Sequence, residues 1–177
     1  MGIRTVRTEG DECLRKGCKP VKSVSLRTRI LIEDMFDTMY ESGGVGLAAP
    51  QIGVLKRIVV MDTDDNQHVL INPQILEVSG EQTGYEGCLS IPGKSGIVTR
   101  PDYVKVKALN ERGEEYVLEG EGLLARCICH ECDHLDGILY SDKAEGGLIN
   151  NEDLPEDEEE ELYEDAYEEF TEEEIHK

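Results

Sequence analysis

The segment ICHECDHLDG contains a His-Glu-x-x-His pattern made by His130, Glu131 and His134. On an α-helix, residues four apart lie one turn apart on the same face, so both imidazoles can reach a single metal ion. Glu131 would then lie beside the ion, where it can take a proton from an attacking water. The pattern therefore predicts a helix with two metal ligands and a general base, and it requires a third protein ligand from elsewhere.

The residues around this motif have helical periodicity of their own. From Leu124 to Leu135, apolar side chains recur three or four residues apart, and the stripe that they form includes Glu131 and His134. An ionised carboxylate buried without a partner costs several kcal/mol, and a metal ion with water beside it makes such burial tolerable. We therefore favour a metal site over a chance match on a surface helix.

The third ligand is expected from a different segment. Cys127 lies on the correct face but about 7–8 Å along the helix axis from the midpoint of the two histidines, and Cys129 and Cys132 point away from them. Cys88, in GYEGCLSIPGKSG, is the leading candidate because its glycine and proline neighbours predict exposed, extended backbone. Weaker candidates in less suitable contexts are Cys13, Cys18, His68 and His176.

The glycine-rich segment GGVGLAAPQIGV invites a different interpretation. Gly44, Gly46 and Ala49 match a dinucleotide-binding fingerprint, but that motif needs a strand before it and a helix after it. Here a helix is predicted before the segment, and Pro50 disfavours helical backbone at Ala49. We predict instead a loop whose glycines let another chain approach closely and whose Gln51 presents a side-chain amide.

Composition restricts the class of protein. The chain has 177 residues and a formal net charge of −21, of which residues 151–177 contribute −14 through fifteen acids and one lysine. Nothing resembles a basic nucleic-acid footprint, and no apolar run approaches the length of a membrane span. The first residues do not form a signal peptide, so we expect a cytoplasmic protein whose six cysteines are thiols or ligands rather than disulfides.

The hydrophobic patterns predict an α+β fold with mainly antiparallel sheet, because strands and helices do not alternate regularly. The predicted elements are a helix at 25–42, strands at 57–62 and 68–73 with Pro73 ending the second, a weaker strand at 75–80, a hairpin at 103–120 and a helix between Gly122 and Gly137. We expect one catalytic domain, residues 1–147, followed by an acidic tail, residues 148–177, that is helical or disordered.

Three motifs, GVGLAAPQIG, EGCLSIPG and CHECDHLDG, occur in an order and at separations that closely resemble the peptide deformylases. This family removes the formyl group from the N-terminal methionine of new bacterial proteins, and the resemblance runs from about Pro20 to about Lys143. It implies antiparallel strands around a central helix that carries the His-Glu-x-x-His. It also implies a bacterial cytoplasmic hydrolase that acts on N-formylmethionyl nascent peptides near the ribosome, without DNA or membrane partners.

The resemblance also implies a role for each residue of the metal site. Cys88, His130 and His134 would bind one divalent metal ion, with water as the fourth ligand. The ion in the cell would be Fe²⁺, and Zn²⁺ or Ni²⁺ would be able to replace it. Glu131 would act as general base and then as general acid.

The substrate site follows from the same resemblance. Gln51 and the backbone N–H of Leu89 would form an oxyanion hole, and Gly46 would hydrogen-bond the substrate backbone. The residues implied to line or border the methionine pocket are Val45, Glu86, Leu123 and Cys127.

The sequence departs from the family pattern in three places. Cys129 stands where many members have Gln, and Lys94-Ser95 lacks an Arg that some members place near the substrate backbone. The tail is acidic where some members have a basic C-terminal helix, so its docking on ribosomal RNA would be repulsive.

Two alternative functions remain compatible with the residues. A zinc peptidase would share the helix motif but would need a cleft for peptide on both sides of the bond, which formate release compared with internal cleavage of formyl-Met-Ala-Ser distinguishes. A non-catalytic metal-binding interaction protein would use the acidic tail as its partner surface. Glu131 in the buried stripe argues against that second alternative, and Glu131→Ala would test it.

Overall fold

The computed structural model describes residues 2–155, which contain two α-helices, eight strands and short 3₁₀ turns. The helices are α1 (Leu26–Glu41) and α2 (Gly122–Leu135). The strands are β1 (Gly46–Ala48), β2 (Ile58–Thr63), β3 (Asn66–Ser79), β4 (Gln82–Cys88), β5 (Ile91–Arg100), β6 (Tyr103–Leu109), β7 (Glu115–Glu121) and β8 (Glu145–Asn150). Both predicted helices and the hairpin are confirmed. Most of the acidic tail, and His176 within it, lies outside the described residues.

A five-stranded antiparallel sheet in the order β1-β2-β3-β6-β7 forms the centre of the fold. Successive side chains of a strand point to opposite faces of a sheet. In β2, Val59 and Met61 pack in the cluster that contains the apolar face of α2, whereas Ile58 and Val60 pack in the cluster that contains α1. The two helices therefore cover opposite faces of this sheet, and the predicted α+β class with antiparallel sheet is confirmed.

Strand β3 continues through a proline. The prediction that Pro73 ends the strand is wrong, because the register with β6 shifts between Ile71 and Gln74 and leaves Pro73 at an irregularity where no ladder N–H is needed. Asn72 adopts a φ of 52° there, and its side chain bonds both the N–H and the carbonyl of Val21 at 2.8 Å. The weaker strand predicted after Pro73 is the second half of β3.

A smaller sheet, in the order β4-β5-β8, holds the segment GYEGCLSIPGKSG. The sequence predicted exposed, extended backbone here but no paired strands; the segment is the end of β4 and the start of β5, joined by a turn at residues 89–90. Strand β8 crosses the predicted domain boundary at residues 147–148, since Lys94 pairs with Asn150 and Ser95 with Ile149. Residues 148–150 therefore belong to the sheet.

Helix α2 is fixed against the sheet by its apolar side. Ala125, Ile128 and Leu135 are fully buried in the core between the helix and the sheet. Gly137 follows the helix with a φ of 74°, and a Cβ at this position would lie 2.6 Å from the carbonyl oxygen of Arg15. Only glycine therefore fits where the chain leaves α2 and passes the backbone of Arg15. Neither α-helix among residues 2–155 is long and apolar enough to span a membrane.

Candidate metal centre and active site

Three side chains that can bind a metal converge from two elements. Cys88 ends β4, and His130 and His134 lie one turn apart on α2. One ligand atom from each residue lies within 4.8 Å of those of the other two, and Cys88 Sγ is 3.4 Å from His134 Nε2. The structure thus brings together the two helix histidines and the cysteine that the sequence favoured as third ligand.

A strand irregularity helps aim the cysteine. The register between β4 and β5 shifts between Glu86 and Cys88, with Gly87 between them. An irregularity of this kind re-aims a side chain next to a site. Cys88 Sγ consequently faces the imidazoles of α2, although its hairpin is distant from that helix in sequence.

Glu86 holds His130 in place and is itself held by two arginines. Its carboxylate accepts from His130 Nδ1, from Arg100 Nη2 at 2.7 Å and from Arg126 Nη1 at 2.7 Å. Burial alone would raise the pKa of Glu86, but hydrogen bonds from His130 and Arg100 outweigh it and hold the pKa well below its usual range. Because a carboxylate only accepts, Nδ1 of His130 carries a proton and Nε2 is the ring nitrogen left to face a cation. Burial would lower the pKa of His130, but hydrogen bonds with Cys88 and Glu86 raise it to about 10, so a cation at Nε2 replaces a proton.

The arginine side of this network continues towards the surface. Arg100, 3% exposed, also donates to Asp133 at 2.6 Å, and Lys143 lies 3.0 Å from the same carboxylate. The sequence reasoning missed Arg100. Its indirect signal was Glu86, because a buried carboxylate needs a cationic partner, but nothing local in the sequence indicates which cation supplies it.

Glu131 is also buried, but it lacks the hydrogen-bond donors that surround Glu86. Its Oε2 has no hydrogen-bond partner among the described residues, and its Oε1 lies 4.0 Å from His130 Nε2. Burial raises the pKa of Glu131 to about 7. A Cβ on Gly46 would lie 2.8 Å from Glu131 Oε1 and 2.9 Å from Cys127 Sγ, so only glycine leaves room there. A carboxyl group with a pKa near neutrality can both accept and return a proton.

The donor set fits a divalent metal ion. Burial lowers the pKa of His134 well below its ordinary value, which keeps the imidazole neutral and able to offer a lone pair. Two imidazoles and one cysteine suit Zn²⁺, Fe²⁺ or Ni²⁺, and three protein ligands leave a position open for reaction. Glu131 Oε2, which has no hydrogen-bond partner among residues 2–155, lies beside this group, where a water can bridge to it.

Gln51 presents an amide to the same place. Its Oε1 accepts from the N–H of Ala48 at 2.9 Å, which directs Nε2 towards Ser90 Oγ at 3.1 Å and Cys88 Sγ at 3.6 Å. Gln51 is 1% exposed. The amide therefore has a fixed orientation and an N–H group directed at Cys88.

A cavity of about 580 Å³ opens onto these groups, a volume typical of small-ligand sites. All eight residues predicted for catalysis and substrate binding outside the metal set line it: Val45, Gly46, Gln51, Glu86, Leu89, Leu123, Cys127 and Glu131. Val45 and Leu123 are 38% and 46% exposed, whereas Cys127 is buried. Glu86 borders the cavity, but its carboxylate is engaged by His130 and the arginines.

The remaining sequence candidates lie outside the group of metal-binding side chains. Cys129 and Cys132 do not join the metal-binding group, as predicted from the helix geometry, and both are buried in the core cluster between α2 and the sheet. Cys13, Cys18 and His68 do not belong to the group found among residues 2–155. The glycine-rich segment forms β1 and a 3₁₀ turn after α1, which is not the strand–helix context of a dinucleotide site.

Comparisons with known proteins agree with this arrangement. Residues 3–147 match the family model described as polypeptide deformylase. Peptide deformylase from Agathobacter rectalis is 60% identical over 148 residues, covering 84% of this chain and 94% of that protein. The enzyme of Lachnoclostridium phytofermentans is 55% identical over 163 residues, covering 90% of this chain and all of that protein.

Solved structures give the same result. The crystal structure of peptide deformylase from Thermotoga maritima superposes with a TM-score of 0.80 at 42% identity and covers 82% of this chain and 99% of that one. The enzyme from Legionella pneumophila gives 0.79 at 47% identity, covering 82% of this chain and 88% of that one. The chain therefore belongs to the polypeptide deformylase family, a family of metal-dependent hydrolases, and it removes the N-formyl group from nascent peptides.

Proposed function

We propose that Cys88, His130 and His134 hold one divalent metal ion, and that Glu131 is the general base and then the general acid of formyl hydrolysis. The observation that carries this proposal is the convergence of three ligand atoms within 4.8 Å beside a buried carboxylate that has no partner for its Oε2 among residues 2–155. Burying a carboxylate without a partner costs free energy, and no contact among residues 2–155 offsets that cost at Oε2. A reaction that uses it accounts for its position.

A bound cation would acidify a water and polarise the formyl carbonyl. Glu131 takes the proton of the attacking water, which its pKa of about 7 permits at neutral pH. As the carbonyl oxygen gains negative charge, Gln51 Nε2 and the backbone N–H of Leu89 donate hydrogen bonds to it. Glu131 then returns the proton to the methionine nitrogen as the carbon–nitrogen bond breaks, and formate leaves.

The sheet edges support an extended position for the peptide. Strand β1 is the edge of the five-stranded sheet and β4 is the edge of the three-stranded sheet, and residues of both line the cavity. A peptide can add to such an edge through backbone hydrogen bonds. We assign Gly46 as the backbone contact on β1. The pocket for the methionine side chain is assigned to Val45, Leu123 and Cys127, with Glu86 bordering it.

We assign Fe²⁺ as the ion in the cell, and the cytoplasm near the ribosome as the place of action. A softer sulfur ligand with two imidazoles is compatible with Fe²⁺, Zn²⁺ and Ni²⁺. Fe²⁺ is readily oxidised in air and promotes oxidation of the Cys88 sulfur beside it, whereas Ni²⁺ is not oxidised under these conditions. The iron-loaded protein should therefore lose formate release in air, whereas the nickel-loaded protein should keep it under the same incubation.

Replacement of one cysteine tests the metal assignment. Cys88→Ala should lose both bound metal and formate release from formyl-Met-Ala-Ser, because one of three ligands is gone. Cys129→Ala is the matched control: Cys129 lies on the same helix as the histidines but in the core, so it should keep both. Metal content is measured after anaerobic purification. A Cys88→Ala variant that retains a full equivalent of metal would refute the ligand set.

A further inference from the structure

Ser90 is a buried polar residue beside the active site to which the proposed mechanism gives no role. It is fully buried in the turn between β4 and β5, and it is not among the residues that line the cavity. Its Oγ accepts a hydrogen bond from Gln51 Nε2 at 3.1 Å, and this is the only hydrogen bond of its side chain among residues 2–155. Any influence of this hydroxyl on the cavity is therefore exerted through Gln51.

The two ends of the Gln51 carboxamide have different partners. The backbone N–H of Ala48 can only donate, so the atom of Gln51 that lies 2.9 Å from it is the amide oxygen. The amide nitrogen carries two N–H groups, and Ser90 Oγ accepts one of them. The other stays available on the side of Cys88, whose Sγ is 3.6 Å from the nitrogen. Ser90 thus determines which N–H of Gln51 is left free.

Hydrogen bonds of the main chain hold Ser90 and Gln51 at this separation. The N–H of Glu9 donates to the carbonyl of Ser90 at 2.8 Å, and the N–H of Arg7 donates to the carbonyl of Gln51 at 2.6 Å. One N-terminal segment therefore connects the turn after β4 with the 3₁₀ turn after β1, although the two strands belong to different sheets. Because Leu89 directly precedes Ser90, both proposed oxyanion donors lie within this connected group.

We propose that Ser90 is a positioning residue, which holds the free N–H of Gln51 where the formyl oxygen gains negative charge. This inference rests on the proposed roles of Gln51 and Leu89 as oxyanion donors. A donor that is already oriented stabilises charge in the transition state without having to reorganise during the reaction. The hydroxyl of Ser90 serves the rate of the chemical step and not the binding of metal or peptide.

Ser90→Ala removes the acceptor and keeps the backbone carbonyl that bonds to Glu9. We expect kcat for formyl-Met-Ala-Ser to fall about 3–10-fold with KM and metal content unchanged, because the contact acts on the transition state. Ser95→Ala is the matched control. Ser95 is 4% exposed on β5 of the same hairpin, and its Oγ donates to Asn151 at 2.6 Å and not to Gln51. This control should change none of the three quantities.

A double-mutant cycle with Gln51→Ala separates positioning from a general structural role. Gln51→Ala alone should lower kcat by about 10²–10³-fold, as expected for the loss of an oxyanion donor. In that background Ser90→Ala should cause no further loss, because no amide remains to be positioned. A structural role for Ser90 would instead lower kcat by the same factor in both backgrounds. The melting temperature of each variant shows whether it folds.

An unchanged kcat in Ser90→Ala, or an equal loss with and without Gln51, would overturn the inference and leave the proposed function standing. An unchanged kcat in Gln51→Ala would refute the proposed oxyanion role, and the inference with it. Ser90→Cys serves as the second variant if Ser90→Ala does not fold, since it keeps the size of the side chain but offers a weaker sulfur acceptor. It should lower kcat by a smaller factor, and again only when Gln51 is present.

Discussion

The surroundings of Glu86 and of Glu131 differ although both carboxylates are buried and both lie near His130. Glu86 comes from β4 and is surrounded by donors: His130 Nδ1, Arg100 and Arg126. Glu131 comes from α2, and its Oε2 has no partner among the described residues. The pKa of Glu86 lies well below its usual range and that of Glu131 rises to about 7. This difference supports the proposed roles, in which Glu86 positions a metal ligand and Glu131 exchanges a proton with the substrate.

The contrast shows how one helix face can serve two purposes. His130 turns Nδ1 towards a permanently ionised carboxylate, which fixes the ring, and turns Nε2 towards the metal site. The neighbouring residue on the chain, Glu131, is left short of partners and can change its protonation state. In the proposed mechanism, hydrogen bonds are therefore present where they orient a ligand and are absent where a proton has to move.

The largest effect is expected from Glu131→Gln. Formate release should fall by about 10²–10⁴-fold, because a positioned general base and acid contributes that much. Metal content should stay near one ion per chain, since the ligands are intact. Stopped formate assays and metal analysis of the same preparation measure both. Glu77→Gln, an exposed glutamate on β3, is the control and should change neither; loss of metal from Glu131→Gln would mean that Glu131 is a ligand.

Glu86→Gln should lower the stability of the protein and its affinity for metal. The substitution leaves the buried Arg100 and Arg126 without their anionic partner, so the free energy of unfolding should fall by about 3–5 kcal/mol. The orientation of His130 also loosens, and metal affinity should drop about 10–100-fold. Urea unfolding and metal competition titrations check the two parts. Unchanged stability would contradict the role assigned to the Glu86 network.

The two carboxylates should give opposite dependences of stability on pH in metal-free protein. Glu131 has a raised pKa in the fold, so its contribution is lost as pH rises from about 4.5 to about 7, and Glu131→Gln should gain roughly 3 kcal/mol relative to the unmodified protein over that range. Glu86 has a lowered pKa, so its contribution is present above about 4.5 and is lost as pH falls below it.

Thermal or urea unfolding at a series of pH values measures this difference for Glu131→Gln and Glu86→Gln. The advantage of Glu131→Gln should grow as pH rises, and the deficit of Glu86→Gln should shrink as pH falls below about 4.5. Parallel curves for the two variants would show that the two carboxylates titrate alike, which would remove the basis of the comparison.

The smallest effect is expected at the outer end of the network. Lys143 pairs with Asp133 at 3.0 Å but is 43% exposed, so Lys143→Met should lower the free energy of unfolding by less than about 1 kcal/mol. Formate release should not change. A loss as large as that of Glu86→Gln would show that the network depends on its surface member and not on its buried core.

The helix motif was predictable from the sequence because its signal is local. His130, Glu131 and His134 follow the helical repeat, and the flanking apolar residues show which side is buried. Cys88 could only be ranked ahead of other cysteines from its neighbours. The resemblance of three motifs to one family then indicated the set of ligands, the oxyanion donors and the pocket.

Features that depend on distant pairing were not predictable in the same way. Strands β4 and β5 were not predicted because the glycines around Cys88 have a low preference for strands. Both strands form through their pairing with each other. Pro73 lies inside β3 because the partner strand shifts register there. Arg100 acquires its position in the network from contacts with Glu86 and Asp133 that only the fold creates.

X-ray absorption spectroscopy at the metal edge of anaerobically purified protein tests the central claim most directly. The proposed site predicts one sulfur and two imidazole nitrogens as protein ligands, and an unaltered sulfur and nitrogen set in Glu131→Gln. A spectrum without a sulfur ligand, or one with a carboxylate ligand that disappears in Glu131→Gln, would contradict the claim that Cys88, His130 and His134 bind the metal while Glu131 does not.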